Sequence, residues 1–128
     1  MLFRSSWTLD AIYDLFPALC ELRRLPGTSI SGGEQQMVAL GRALLSNPQI
    51  LLCDELSLGL APKIIDNIYA CFERLLASGL TILIVEQDVR RALSVASNVH
   101  CLLEGQISLS CSTANVEFDE ISRAYFGG

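Results

Sequence analysis

One lysine, one histidine and one tryptophan occur in 128 residues, and the nine basic side chains are outnumbered by fourteen acidic ones. The net charge of −5 argues against a nucleic-acid partner and leaves no basic face for anionic lipid. No apolar run is long enough to span a bilayer, and the stretch at Met1-Leu2-Phe3-Arg4 is too short for a secretory signal. Cys20, Cys53, Cys71, Cys101 and Cys111 are odd in number and scattered, with no Cys-x-x-Cys pair. Several lie in apolar segments, so buried free thiols in a reducing cytoplasm are expected rather than disulfides or a metal centre. His100 stands alone in an apolar run and reads as structural. Also missing is any Gly-x-x-x-x-Gly-Lys-Ser/Thr stretch, the loop whose amides and lysine cradle nucleotide phosphates. The single lysine, Lys63, follows Ala61-Pro62 and precedes Ile64, with no glycine framework around it.

What is present begins with Ser31-Gly32-Gly33-Glu34-Gln35-Gln36. Ser31 and Glu34 have the spacing of a capping box, in which each side chain takes the other residue's amide. Gly32 and Gly33 leave first-turn amides open at the positive end of the helix dipole, where an anion such as phosphate can sit. Ser-x-x-Glu alone describes a well-capped helix that binds nothing. The sequence continues, however, into an apolar run that ends in two acids, Ile50-Leu51-Leu52-Cys53-Asp54-Glu55. That run lacks polar alternation, as expected of a parallel strand buried on both faces. Ligands in open α/β sheets collect beyond the carboxyl ends of such strands, which is where Asp54 and Glu55 fall.

Together these strings resemble the signature motif and Walker B strand of an ABC-transporter ATPase, specifically the ATP-binding subunits of branched-chain amino-acid importers. The resemblance runs from about Ile12 to Gly128, through Ile12-Tyr13-Asp14-Leu15-Phe16-Pro17, Ser31 to Leu45, Ser57-Leu58-Gly59-Leu60-Ala61-Pro62, Ile84-Val85-Glu86-Gln87 and Ala124-Tyr125-Phe126-Gly127-Gly128. It implies a signature loop at Ser31, Gly32 and Gly33, with Gln35, facing the γ-phosphate held by an opposite subunit. It implies Asp54 as the Mg²⁺-associated acid and Glu55 as the catalytic Glu that accepts a proton from the attacking water. Ser57, Leu58 and Gly59 correspond to the loop that crosses the dimer interface. Gln87 falls at the switch position, where an amide can sense a γ-phosphate but cannot titrate. Its plainer reading is a polar residue entering a helix.

Two positions depart from the family pattern. Leu56 stands where proline usually follows the catalytic Glu, which frees φ and adds a backbone donor that could loosen the loop. Ile30 stands where Leu is usual. The larger departure is the missing phosphate loop, together with the upstream aromatic and the Gln-containing loop that faces the membrane subunits.

The fold class expected is α/β, a partial P-loop NTPase (ABC ATPase) domain with parallel strands, flanking helices, and a C-terminal hairpin and helix. Residues 1–128 read as a single unit, the C-terminal portion of such a domain. Helical spacing places Leu9, Ile12, Tyr13, Phe16, Leu19 and Cys20 on one face, with Pro17 interrupting this helix or starting another. Helices are expected over Glu34–Leu45, from Ile64 to a stop at Ser78-Gly79, over Gln87–Ala96 and over Val116–Tyr125. Strands are expected over Ile50–Cys53 and Leu80–Val85, with a hairpin of Val99–Leu103 and Gln106–Leu109 around Glu104-Gly105.

The family resemblance implies ATP and Mg²⁺ as cofactors, bound weakly or not at all by this chain alone. It implies a second ATPase subunit and transporter membrane subunits as partners, at the cytoplasmic face of the inner membrane. The expected function is that of an importer ATPase fragment, inactive by itself through a truncated gene or a misassigned start. The alternatives are a half-enzyme completed by a separate P-loop chain, and a non-catalytic module that dimerises with an intact subunit. Loss of a strand neighbour beside Leu80–Val85 also raises an expectation of self-association.

Overall fold

The computed structural model describes residues 6–126, so Met1–Ser5 and the terminal Gly127-Gly128 lie outside the described residues. It divides into two compact units, Met1–Val85 and Glu86–Gly128, within the stretch that the sequence presents as continuous.

The first unit opens with α1 (Leu9–Leu15), capped by Thr8, whose side chain accepts from the Ala11 amide. Pro17 starts a second helix, α2 (Pro17–Leu22), because its fixed φ and missing N–H suit a first helical position. Phe16 ends one helix, precedes the next, and is buried between them. The buried positions here are Ile12, Leu15, Phe16 and Leu19, while Leu9 is exposed, so the apolar face is rotated toward Leu15 from the one expected. α3 (Gly32–Leu45) follows, and then the strand β1 (Ile50–Asp54). α4 (Pro62–Ala77) starts at Pro62 and ends before Gly79, which takes a positive φ of 83°. Ile68, Phe72 and Leu75 of α4 and Leu44 of α3 are fully buried and form the centre of the core.

β2 (Thr81–Val85) pairs in parallel with β1 in the register Ile50↔Thr81 to Asp54↔Val85, in a two-stranded sheet. Contrary to the expectation of strands buried on both faces, burial alternates along β1. Leu51 and Cys53 are buried, whereas Ile50 and Leu52 are 57% and 70% exposed. Leu83 and Val85 of β2 lie on the same open face, at 52% and 54%. The physical reason is that one layer of helix covers the sheet, on the side of Cys53. Cys71 of α4 is buried as well.

In the second unit α5 (Val89–Val95) starts two residues later than expected. Asp88 is its N-cap, accepting from the Arg91 amide at 3.1 Å, so Gln87 precedes the helix rather than entering it. The hairpin β3 (Asn98–Leu103) and β4 (Gln106–Ser112) is longer than expected. Its tip, Glu104-Gly105, has φ of 50° and 79°, the doubly left-handed turn that suits the twist of a two-residue hairpin. The register slips between Cys101 and Leu102, leaving Ser108 as the extra residue, and its hydroxyl bonds the carbonyls of Cys101 and Ala124. α6 (Phe118–Phe126) starts two residues after the expected point. The hairpin forms a sheet of its own. His100 is exposed, with Nδ1 2.9 Å from the Ser110 hydroxyl across the hairpin. All five cysteines are free thiols, three of them buried.

Candidate functional site

The start of α3 is built by its cap. Glu34 Oε2 accepts the Ser31 amide at 2.6 Å and Ser31 Oγ accepts the Glu34 amide at 3.3 Å, completing the capping box. The Ser31 backbone N–H, and after it the Ser31 hydroxyl, donate to the Glu34 carboxylate and hold it below its ordinary range. Gln35 braces the turn from behind, donating to the carbonyls of Gly27 (3.5 Å) and Ile30 (3.3 Å). Ser31 and Gly32 are exposed. Gly33 is buried, and a Cβ there would stand 2.5 Å from Ile64 Cγ2, so its missing side chain lets α4 approach α3. Gly32 in turn lies by Leu60, whose Cδ2 would be 3.8 Å from an added Cβ.

Asp54 ends β1 with an exposed side chain, on the open face with Leu52. The Glu55 amide extends the ladder one step further, donating to the Val85 carbonyl at 2.8 Å. The chain then turns sharply. The Leu58 amide bonds the Glu55 carbonyl at 3.1 Å, and the Leu60 amide bonds the Ser57 carbonyl at 3.3 Å. Leu58 and Gly59 are exposed, and nothing lies within 4 Å of where a Gly59 Cβ would be. The structure therefore brings Gly32 and Gly33 to Leu60 and Ile64, at the end of the loop and the first turn of α4, while Asp54, Glu55 and Ser57–Gly59 lie earlier on that loop. Gln87 belongs to the second unit and is exposed, just before the Asp88 cap. The buried residue between the acids and the loop, Leu56, carries no polar chemistry, and the only hint of it in the sequence is its departure from proline.

Mg²⁺ bound with nucleotide usually keeps its waters and takes one or two carboxylates plus substrate phosphates. Asp54, exposed at a strand end, suits such a single-carboxylate role. No cluster of three or more His, Cys, Asp and Glu side chains forms a self-sufficient metal site among the described residues. The open, capped start of α3 suits a phosphate presented from outside, but this chain offers no glycine-lysine cradle of its own.

A separate groove of about 310 Å³ lies between α1, α2 and α3, lined by Leu9, Tyr13, Leu25, Val38 and Leu45 among other apolar residues. Its charged lining residues are Arg23 and Arg42. No helix among the described residues is long and apolar enough to cross a membrane.

Comparison with known proteins gives these features a context. Residues 10–57 match the model of the ABC transporter family. The chain is 42% identical over 121 residues to the high-affinity branched-chain amino acid transport ATP-binding protein BraG of Pseudomonas aeruginosa, covering 94% of this chain and 52% of that protein. It is 35% identical over 107 residues to the lipopolysaccharide export system ATP-binding protein LptB of Escherichia coli, covering 83% and 44% of the two chains. The crystal structure of an ATP-binding cassette of an ABC transporter in its ADP conformation superposes with a TM-score of 0.76. That match has 28% identity over 91% of this chain and 48% of the other. The chain thus spans about half the length of the curated relatives it matches.

Proposed function

We propose that this chain, whose sequence and fold match the ABC transporter ATP-binding domain, supplies the signature loop and the hydrolytic acids of an importer ATPase. The transport system is of the branched-chain amino-acid type, and the phosphate-gripping loop comes from a segment this sequence does not contain. The observation that carries the reading is the packing of the capped α3 start against the end of the segment that follows Asp54 and Glu55, through Gly32 beside Leu60 and Gly33 beside Ile64 in the first turn of α4. The branched-chain assignment rests on 42% identity to the Pseudomonas protein, against 35% to the lipopolysaccharide exporter subunit.

In this reading Mg-ATP, when bound, supplies the phosphoryl group and the energy of its transfer. Ser31 and the amides at Gly32 and Gly33 orient a γ-phosphate presented by a second ATPase subunit. Asp54 supplies the metal-side carboxylate. Glu55 accepts a proton from the attacking water, and Gln87 holds the γ-phosphate by an amide hydrogen bond without titrating. Ser57, Leu58 and Gly59, exposed or half-buried on their turn, meet the partner subunit. The groove beside Arg23 and Arg42 offers an apolar seat with two cations, suited to an apolar, acid-flanked segment of a membrane subunit at the cytoplasmic face. The open face of β1 and β2 accords with a sheet whose remaining layer comes from the missing half.

The test is a fusion of the phosphate-loop half of the Pseudomonas relative to this chain. ATP turnover is expected, with Glu55→Gln abolishing it and leaving ATP affinity within a few-fold. Equal collapse of affinity in that variant would refute the role given to Glu55. A second reading, a non-catalytic module that caps ATP held by an intact subunit, is favoured by the missing phosphate loop, because the α3 start is fully formed without it. Binding to an ATP-loaded intact relative, with no turnover in the fusion, would select it.

A further inference from the structure

Three described non-glycine residues have left-handed backbone: Asn47, Glu55 and Glu104, with φ of 51°, 47° and 50°. Two are explained by where they stand. Asn47 closes the end of α3, its amide bonding the Leu44 carbonyl at 2.8 Å, and Glu104 begins the hairpin turn with Gly105. Glu55 is at neither kind of place. It follows directly on a strand, where a side chain disfavours this conformation, and such outliers persist only when their surroundings hold them.

The alternation of β1 shows what the turn accomplishes. Leu51 and Cys53 point into the core, while Leu52 and Asp54 point out. One further step in strand geometry would send Glu55 inward after Cys53 and bury a carboxylate. Instead the backbone reverses hand at Glu55. Leu56 takes the inward place, only 7% exposed, and Glu55 stays half-buried beside an exposed Asp54. The Glu55 amide keeps its bond to Val85, so the reversal is fixed on one side by the ladder and on the other by the buried Leu56 side chain.

We propose that Leu56 is a positioning residue for Glu55: its seat in the core holds the left-handed turn that keeps the Glu55 carboxylate out of the core at the end of β1, next to Asp54. The functional side of this inference rests on the proposed role of Glu55 in hydrolysis. The structural side stands without it.

The test is nuclear magnetic resonance of the full chain. A residue at positive φ has its amide and α protons unusually close, so Glu55 should show a strong intraresidue NOE between them. Leu56→Met should keep it, and Leu56→Ala should weaken it while the corresponding NOEs at Asn47 and Glu104 persist. Glu55→Gly, which takes the left-handed turn without strain, should raise the thermal midpoint. An unchanged Glu55 NOE in a folded Leu56→Ala chain, or a lowered midpoint in Glu55→Gly, overturns the proposal. In the fusion with a phosphate-loop half, Leu56→Ala should lower kcat on the order of tenfold to a hundredfold with KM for ATP little changed. A fall in kcat no larger than the loss of folded protein read by circular dichroism would mark Leu56 as merely structural. If Glu55→Gln leaves turnover intact, the hydrolytic role fails, while the NOE result still decides the positioning.

Discussion

Gly33 lies so close to Ile64 that a Cβ on the glycine would meet Cγ2 at 2.5 Å and the isoleucine's own Cβ at 3.3 Å. The contact ties the capped start of α3 to the first turn of α4. We predict that Gly33→Ala destabilises the chain. Overpacking of this kind costs about 1–3 kcal/mol, which outweighs the ~1 kcal/mol that alanine gains over glycine within a helix. Urea unfolding checks this. Ile64→Ala in the same chain should remove most of the penalty, and a stabilised single Gly33→Ala variant would show that α3 and α4 are not so closely packed.

The capping box gives a second prediction. Ser31→Ala removes the acceptor for the Glu34 amide and should cost about 1 kcal/mol. Glu34 also carries a pH dependence. Its folded pKa lies below the ordinary 4.5 because Ser31 donates to the carboxylate. Its contribution is therefore present above pH 4.5 and is lost as the pH falls through the folded value. Glu34→Gln should be less steeply destabilised by acid than the parent chain. Identical acid limbs in the two unfolding curves would count against the bond.

Cys53 and Cys71 predict behaviour at the other end of the pH scale. Burial pushes their thiols up to about 11 and about 12, with the Cys53 thiolate adding to the rise at Cys71. A raised acid favours the folded state below its unfolded pKa of 9.0 and loses that favour as the pH climbs through the folded value. Stability should therefore decline between about pH 9 and pH 11. In the folded chain at pH 8 both thiols should resist iodoacetamide, and in denaturant both should react. Rapid labelling of Cys53 in the native state would contradict its place in the core.

The open face of the first sheet predicts association. Ile50, Leu52, Leu83 and Val85 form an apolar patch on two short parallel strands, and β2 pairs with β1 alone among the described residues. We predict concentration-dependent self-association by sedimentation velocity. Leu83→Lys should reduce it with little loss of stability, since Leu83 faces outward. A parent chain that stays monomeric across a wide concentration range would show that the patch is covered in solution.

Much of this architecture is legible in the sequence because the local signals are strong. Ser31 and Glu34 announce the start of α3, Pro17 and Pro62 stand at first helical positions, and Glu104-Gly105 fixes the hairpin. The covered face of β1 is not legible, because Ile50 and Leu52 are as apolar as Leu51 and only the layer packed above distinguishes them. The first helix misleads for the same reason: Leu9 and Leu15 are equivalent in chemistry, and tertiary packing selects Leu15. The start of α5 turns on Asp88 as a cap, a short polar residue next to the expected Gln87 start. The candidate site divides likewise. Its residue types are plain in the strings Ser31–Gln36 and Asp54–Glu55, but the left-handed backbone at Glu55 and the burial of Leu56 arise from the meeting of strand, turn and core.

The central claim, that this chain carries the signature and hydrolytic residues but not the nucleotide grip, is tested most directly by titration calorimetry of the isolated chain with Mg-ATP. The account predicts no binding tighter than about millimolar, a free energy near −4 kcal/mol, since neither phosphate-loop amides nor its lysine are present. A micromolar dissociation constant would contradict it and require a nucleotide site built from other residues of this chain.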